Sequence, residues 1–385
     1  MKPTCYSRRD FIRLGGAAMV AAHLSPLPTP DATVAITRCR DYGPEMRTAL
    51  DKSFELLGGI GRLVKDKTVT VKINLTGCSF KRRVLDRPVG ETYMTHPATT
   101  MALASALFAA GARRVRFVES TNRRQPLEAT LAAGGWDVPA LLALGRVELE
   151  DTRNLGIGKE YATLKVPGGG HLFSLFELNH SYHDTDVFIS LCKLKQHGAA
   201  GVTMTLKNLF GITPNALYAD ESPDENALGG RSRLHNPFDD LLPPRQNPGP
   251  FDPPGATDRF FDSDDPGHRV PSIITDVCAA RPIHLGIIDG ITAMSGAEGP
   301  WANRPLRVTT PGVIIAGFDP VATDTVGTAV MGFENPRASR GSAPFTICDN
   351  HLLLTEQAKL GTADLSRIEV VGMSLASARC LQYEY

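Results

Sequence analysis

The stretch TDVFISLCKLK, residues 185–195, decides how this chain folds. It is a nearly continuous apolar run, the pattern of a strand buried on both faces, and such strands belong to parallel sheets covered by helices. Its far end carries Lys193 and Lys195. The continuation QHGAAGVTMTLKNLFG, residues 196–211, relaxes through glycine before a helical segment bearing Lys207 and Asn208.

Outward from this strand, the chain alternates strand-like and helix-like segments from Ala32 onward. TVAITRC and TVTVKIN read as strands, with helical spacing of apolar residues between Pro44 and about Leu57. PATTMALASALFAAGA has proline near its start and Gly111 at its end, which predicts a helix leading into the strand RVRFVES. PLEATLAAGGW and PALLALG read as helical pieces, RVELED as a strand, and residues 161–179 as a hairpin around PGGG. Between Pro214 and Pro271 the composition turns to Pro, Asp, Asn and Gly, which predicts a long loop or lid insertion over 214–270. SIITDVCAA (helix), IHLGIIDG and GVIIAGFD (strands), PVATDTVGTAVMG (helix) and RIEVVGMSL complete the pattern. The expected fold is α/β: a mostly parallel sheet flanked by helices over residues 31–385, in one domain or two lobes. A chain of 385 residues, 42% of them hydrophobic, has ample material for that core.

Lys+Arg and Asp+Glu both number 41, so no global field draws the chain to nucleic acid, and none is expected as a partner. At the N-terminus, SRRDFIR has the twin-arginine export pattern. The apolar stretch after it falls short of the ~20 residues that span a bilayer, and SPLPTP cannot continue a helix. Residues 1–30 therefore read as an export signal and linker. The twin-arginine translocation machinery is the expected partner, the periplasm or another exported location the expected address, and no stable membrane span is expected. The seven cysteines include no C-x-x-C pair, so neither an iron–sulfur cluster nor a zinc ribbon is expected.

In open α/β sheets ligands bind at the carboxyl ends of the strands. The predicted strands end in Lys72 and Asn74, in Glu119 and Ser120, in Lys193, Lys195 and His197, in Asp289, and in Asp319. Lys193, Lys195 and Lys207, beside a helix N-terminus, would neutralise a carboxylate or phosphate. The competing reading lets the lysines snorkel to water from the sheet edge. His96, in THP just before a helix, is placed for proton transfer or metal ligation. Asp319 before Pro320 also reads simply as a helix cap. If Glu119, Asp289, Asp319 and Asp324 converge, they form an oxygen-rich divalent-cation site; adding His96, His197 or His235 would suit Fe, Mn or Zn. SGAEGP, residues 295–300, is either a ligand-approaching glycine loop or only a turn. His235 lies in the insertion, where it could reach over the crevice.

Taken in order, VKINL (71–75), THP (95–97), ES (119–120), DVFISLCKLKQH (186–197), VTMTLKNLFG (202–211), IIDGI (287–291), GAEGP (296–300) and GFDPVATDTVG (317–327) resemble the family called domain of unknown function 362. The pairing of K-x-K-x-H with T-x-x-L-K-N-L-F-G is its most specific element. The resemblance covers most of the chain after the export segment. It implies that Lys72, Asn74, His96, Glu119, Lys193, Lys195, His197, Lys207, Asn208, Asp289, Asp319 and Asp324 occupy family motif positions. Some relatives carry ferredoxin-like cysteine clusters, which this chain lacks. The functional expectation is an exported metal- or cofactor-dependent enzyme acting on a small anionic substrate. His96, His197 and Lys195 would be its catalytic groups, Lys72, Asn74, Lys193, Lys207 and Asn208 its anion ligands, and Glu119, Asp289, Asp319 and Asp324 its metal ligands. The alternative is a non-catalytic anion-binding or accessory protein, or a redox relative without the cluster.

Overall fold

A computed structural model describes residues 30–76, 83–121, 126–236, 251–301 and 304–383. The twin-arginine segment and the middle of the expected insertion lie outside the described residues.

Eight strands form the central sheet: β1 (Ala32–Arg38), β2 (Thr68–Lys72), β3 (Arg114–Glu119), β4 (Val147–Asp151), β5 (Val187–Lys193), β6 (Leu285–Gly290), β7 (Val313–Gly317) and β8 (Ile368–Gly372). Their order is β8-β1-β7-β6-β5-β2-β3-β4. Neighbouring pairs are parallel except that β7 runs antiparallel to both β1 and β6. The expected mostly parallel α/β architecture is therefore present.

Strand parity divides the interior in two. Val187, Ile189 and Leu191 of β5 enter one core with Met46 and Phe54 of α1 (Glu45–Leu56) and Leu103 and Leu107 of α2 (Pro97–Ala109). Phe188 and Cys192 enter the other, with Leu206 of α3 (Thr205–Asn208), Val270 and Ile274 of α4 (Pro266–Ala280) and Val326 of α5 (Pro320–Val330). Each fully buried aliphatic of this kind contributes about 1.5–3 kcal/mol, which is why a strand apolar at every position settles at the centre of the sheet.

From β2 the chain steps outward to β3 and β4, then returns to place β5 on the other side of β2 and continues to β6 and β7. The topological switch point is thus the gap between β2 and β5, where open sheets leave a crevice.

Two expectations change. Because β7 is antiparallel, with Gly317 opposite Gly286 and Val313 opposite Gly290, its carboxyl end and Asp319 lie at the edge away from the ends of β2, β5 and β6. A buried apolar strand reads the same in either direction, so sequence did not reveal this. Within residues 214–270, the described part is packed rather than lid-like: Tyr218, Leu234, Phe251 and Phe260 are buried in the second core. Helix α4 begins at Pro266, capped by Asp265 through the Gly267 N–H at 2.9 Å, and keeps Pro271 inside it. The hairpin of residues 161–179 forms as expected, Tyr161–Lys165 pairing with Leu175–Asn179 apart from the main sheet. No helix among the described residues is long and apolar enough to cross a membrane.

Candidate functional site

At the switch point, parity sends Lys72 and Lys193 to opposite faces of the sheet. Lys72 Nζ meets Glu119 Oε1 at 2.6 Å, both side chains buried, and donates to Asn208 Oδ1 at 3.3 Å. Glu119 also accepts from the Leu75 and Ser120 N–H groups. Burial lowers the Lys72 pKa, and the adjacent Glu119 opposes that shift. Asn208 ties the two central strands together: its Nδ2 donates to the Lys72 carbonyl at 3.1 Å and to Ser190 Oγ at 3.1 Å, and its Oδ1 accepts from Asn74 Nδ2 at 3.0 Å. Lys72, Asn74, Glu119 and Asn208 therefore form one satisfied, buried network. Its polar groups are spent on one another, on nearby backbone and, through Asn74, on Lys195.

On the other face, Lys193 Nζ donates to Tyr42 Oη at 2.6 Å and lies 3.3 Å from Asp289 Oδ2. Asp289 accepts from Tyr42 Oη at 3.0 Å, from Thr99 Oγ1 at 3.0 Å and from the Ile291 N–H. The Tyr42 ring stacks on His96 with centroids 3.6 Å apart. His96 caps α2, its Nδ1 accepting from the Ala98 N–H at 3.1 Å, so the neutral ring carries its proton on Nε2. Burial lowers the His96 pKa to about 4, Asp289 and Lys193 acting on it in opposite senses.

Lys195 follows a break in the strand and opens a small hairpin in which Lys195 pairs with Thr203 and His197 with Gly201. It is fully buried, yet its partners are neutral: Asn74 Oδ1 at 3.2 Å and the Tyr93 carbonyl at 2.8 Å. Burial brings its pKa down to about 7, helped by the charges of Lys207 and Lys193 and opposed by Glu298. Lys207 lies over the Phe210 ring at 4.5 Å, and burial lowers it to about 8. Glu298 is bonded to Trp301 Nε1 at 3.0 Å. Burial works to raise it, but hydrogen bonds from its own backbone N–H and Trp301 and the positive charge of Lys207 oppose that and leave it below the usual carboxylate value. Around these groups, His197 Nδ1 accepts from the Ala199 N–H, and His235 Nδ1 lies 2.8 Å from the Arg231 carbonyl.

The four carboxylates expected to converge on a cation do not. Glu119 is paired with Lys72 and Asp289 with Lys193. Asp324, fully buried in α5, accepts from the Thr205 N–H at 2.8 Å, Thr205 Oγ1 at 2.5 Å and the Leu206 N–H at 2.9 Å. Asp319 caps α5 through the Ala322 N–H and also takes the Thr362 N–H, at the far edge of the sheet. Among the described residues, no group of three or more His, Cys, Asp or Glu side chains is placed to hold a metal ion. The helix end expected to greet an anion is likewise engaged, since Asp324 takes the first N–H groups of α3. His96 and Glu119 bond to different partners, as do His197 and Asp289.

Sequence reasoning missed Tyr42, Tyr93, Glu298 and His351. Glu298 sits inside the GAEGP segment, where the flanking glycines dominate the local pattern. Tyr42, between two helical signals, offered no pattern.

Fold and site together define an α/β protein with a largely buried, lysine-rich cluster at its switch point. The family model described as Domain of unknown function (DUF362) matches residues 69–329, and the chain belongs to that family. It is 28% identical over 306 residues to the thylakoid-associated protein sll1697 of Synechocystis sp., covering 78% of this chain and 74% of that one. Among solved structures it is similar to the lactate racemase apoprotein of Thermoanaerobacterium thermosaccharolyticum, with TM-score 0.34 and 13% identity over 67% of this chain and 50% of that one. A Thermotoga maritima protein gives TM-score 0.32 and 13% identity over 72% of this chain and 55% of its own. The chain thus spans about half the length of either structure, and neither likeness bears on chemistry.

Proposed function

We propose that this chain binds a small anionic ligand in the crevice beside Lys195 and Lys207. One observation carries the reading: among the described residues these two lysines, unlike Lys72 and Lys193, have no carboxylate hydrogen-bonded to them. An ammonium as deeply buried as Lys195 is costly when its hydrogen-bond partners are neutral, and an anionic ligand would add to the compensation that the Glu298 charge gives to it and to the partly buried Lys207. Isothermal titration of the purified chain with a panel of small anions tests it. Lys195→Met and Lys207→Met should each weaken the tightest binder at least about tenfold, as expected for loss of a charge-assisted contact. Unchanged affinity in both variants would sink the reading.

A second reading, catalysis on that ligand, is favoured by the 2.6 Å contact between Lys193 Nζ and Tyr42 Oη, beside Asp289 and the His96 stack. Such an array can relay a proton. Tyr42→Phe should then abolish turnover of a bound ligand while leaving its affinity within about threefold. The twin-arginine pattern supports export of the folded protein. Replacing both Arg8 and Arg9 with Lys should retain it in the cytoplasm on fractionation, and unaltered export would refute that route.

A further inference from the structure

Two histidines of the crevice are fixed in opposite tautomers. His235 Nδ1 lies 2.8 Å from the Arg231 carbonyl, which can only accept, so the neutral ring donates from Nδ1 and presents a bare lone pair at Nε2. His197 Nδ1 accepts from the Ala199 N–H at 3.1 Å, so its Nε2 carries the hydrogen. Burial holds both rings neutral, His235 at about 4 and His197 well below the usual imidazole value. Lys207 and His235 both lie against the Phe210 ring, at 4.5 and 5.1 Å, and the Glu298 carboxylate, bonded to Trp301, acts on Lys195, His197, Lys207 and His235 alike, so the ligand shares these donors with it.

The lining also contains buried polar atoms without partners. Thr203 stands directly across the hairpin from Lys195, on the same face. It is 3% exposed, and its Oγ1 has no hydrogen bond among the described residues. His351 is fully buried, neither ring nitrogen has a hydrogen bond among the described residues, and burial lowers its pKa to about 3, with Lys207 acting the same way and the Ala200 backbone against it. Gly201 sets His351 against the hairpin. A side chain at Gly201, whose φ is +72°, would strike Phe345, and Phe345 meets the His351 ring edge-on at 5.9 Å.

The geometry points to a phosphate site that recognises the protonated P–OH group: Lys195, Lys207, Thr203 and His197 donate to the bare oxygens, and His235 Nε2 accepts the ligand's hydrogen. This rests on the anion-binding reading above and names its ligand class. Donors that approach singly from several directions suit a tetrahedral anion. Flat, bidentate carboxylate recognition favours an arginine fork, and Arg231 is committed to Ser120 Oγ and the Thr213 carbonyl. Sulfate has the same shape but no hydrogen to give, so it would set an oxygen lone pair against His235 Nε2. A site built to bond a ligand O–H discriminates strongly against an analogue lacking it.

The test is isothermal titration of the full chain with inorganic phosphate and with sulfate at pH 7 and matched ionic strength. Phosphate should bind at least about tenfold more tightly. His235→Phe should reduce phosphate affinity to the sulfate level, while His235→Gln, whose amide oxygen can accept, should keep part of the preference. A phosphomonoester, which loses its P–OH near pH 6, should bind well below that pH and poorly at pH 7.5, whereas inorganic phosphate should bind at both. Equal affinity for phosphate and sulfate overturns the inference, as does a preference that survives His235→Phe. Binding of carboxylates with neither tetrahedral anion bound overturns it while leaving the anion-binding reading standing; no response to any anion overturns both. Should His235→Phe fail to fold by circular dichroism, the wild-type phosphate-to-sulfate ratio and the Gln variant decide.

Discussion

Each of the four lysines near the switch point has the same aliphatic stem and charge, and only their partners distinguish them. Lys72 and Lys193 are matched by Glu119 and Asp289, whereas Lys195 meets amide and carbonyl oxygens and Lys207 an aromatic face. The pKa values of about 7 and about 8 for the latter pair make their charge sensitive to ordinary pH. Both lie below the unfolded value of about 10.4, so between roughly pH 7 and 10 the unfolded chain binds more protons than the folded one. The contribution of these lysines to ligand-free stability should therefore rise with pH across that window, and their penalty should be full below it. Anion affinity should move the other way, falling as the ammonium groups lose their protons. Melting temperatures measured with and without a bound anion from pH 6.5 to 9 should show the ligand-induced increment shrinking as pH rises. In Lys195→Met/Lys207→Met double-variant protein that pH dependence should largely vanish.

At the scale of the element, the short helix α3 depends on its neighbour. Four residues cannot hold a helix by themselves, and Asp324 of α5 satisfies the first N–H groups while α3 projects Lys207 and Asn208 into the crevice. Asp324→Ala should leave the Thr205 and Leu206 N–H groups buried and unpaired, at a cost of about 2 kcal/mol or more in denaturant unfolding. It should also weaken anion binding through displacement of Lys207. In sequence, Asp324 reads as an acid on a helix and a metal ligand. Its real partner lies 119 positions away, at the N-terminus of another helix, and no local spacing encodes that. The element boundaries, by contrast, were largely legible, because caps such as His96-Pro97 and Asp319-Pro320 and the alternation of apolar segments act within a few residues.

For the whole molecule, the reversal of β7 sorts the predicted site residues more decisively than any single contact. It leaves Lys72, Glu119, Lys193 and Asp289 on one edge and carries Asp319 to the other. Asp319→Ala should cost about 1 kcal/mol as a lost helix cap and leave anion affinity unchanged, which parallel unfolding and titration measurements would check. The chain by itself determined the α/β class, the strand buried on both faces, the family and the cluster of basic residues that follows that strand, because composition, periodicity and short motifs act locally along the backbone. Tertiary structure alone decided strand direction, which lysine met which carboxylate, and the burial of Thr203 opposite Lys195 and of His351 near the same hairpin. Those outcomes rest on contacts between residues far apart in sequence. Their energies depend on burial and geometry that no stretch of residues carries within itself.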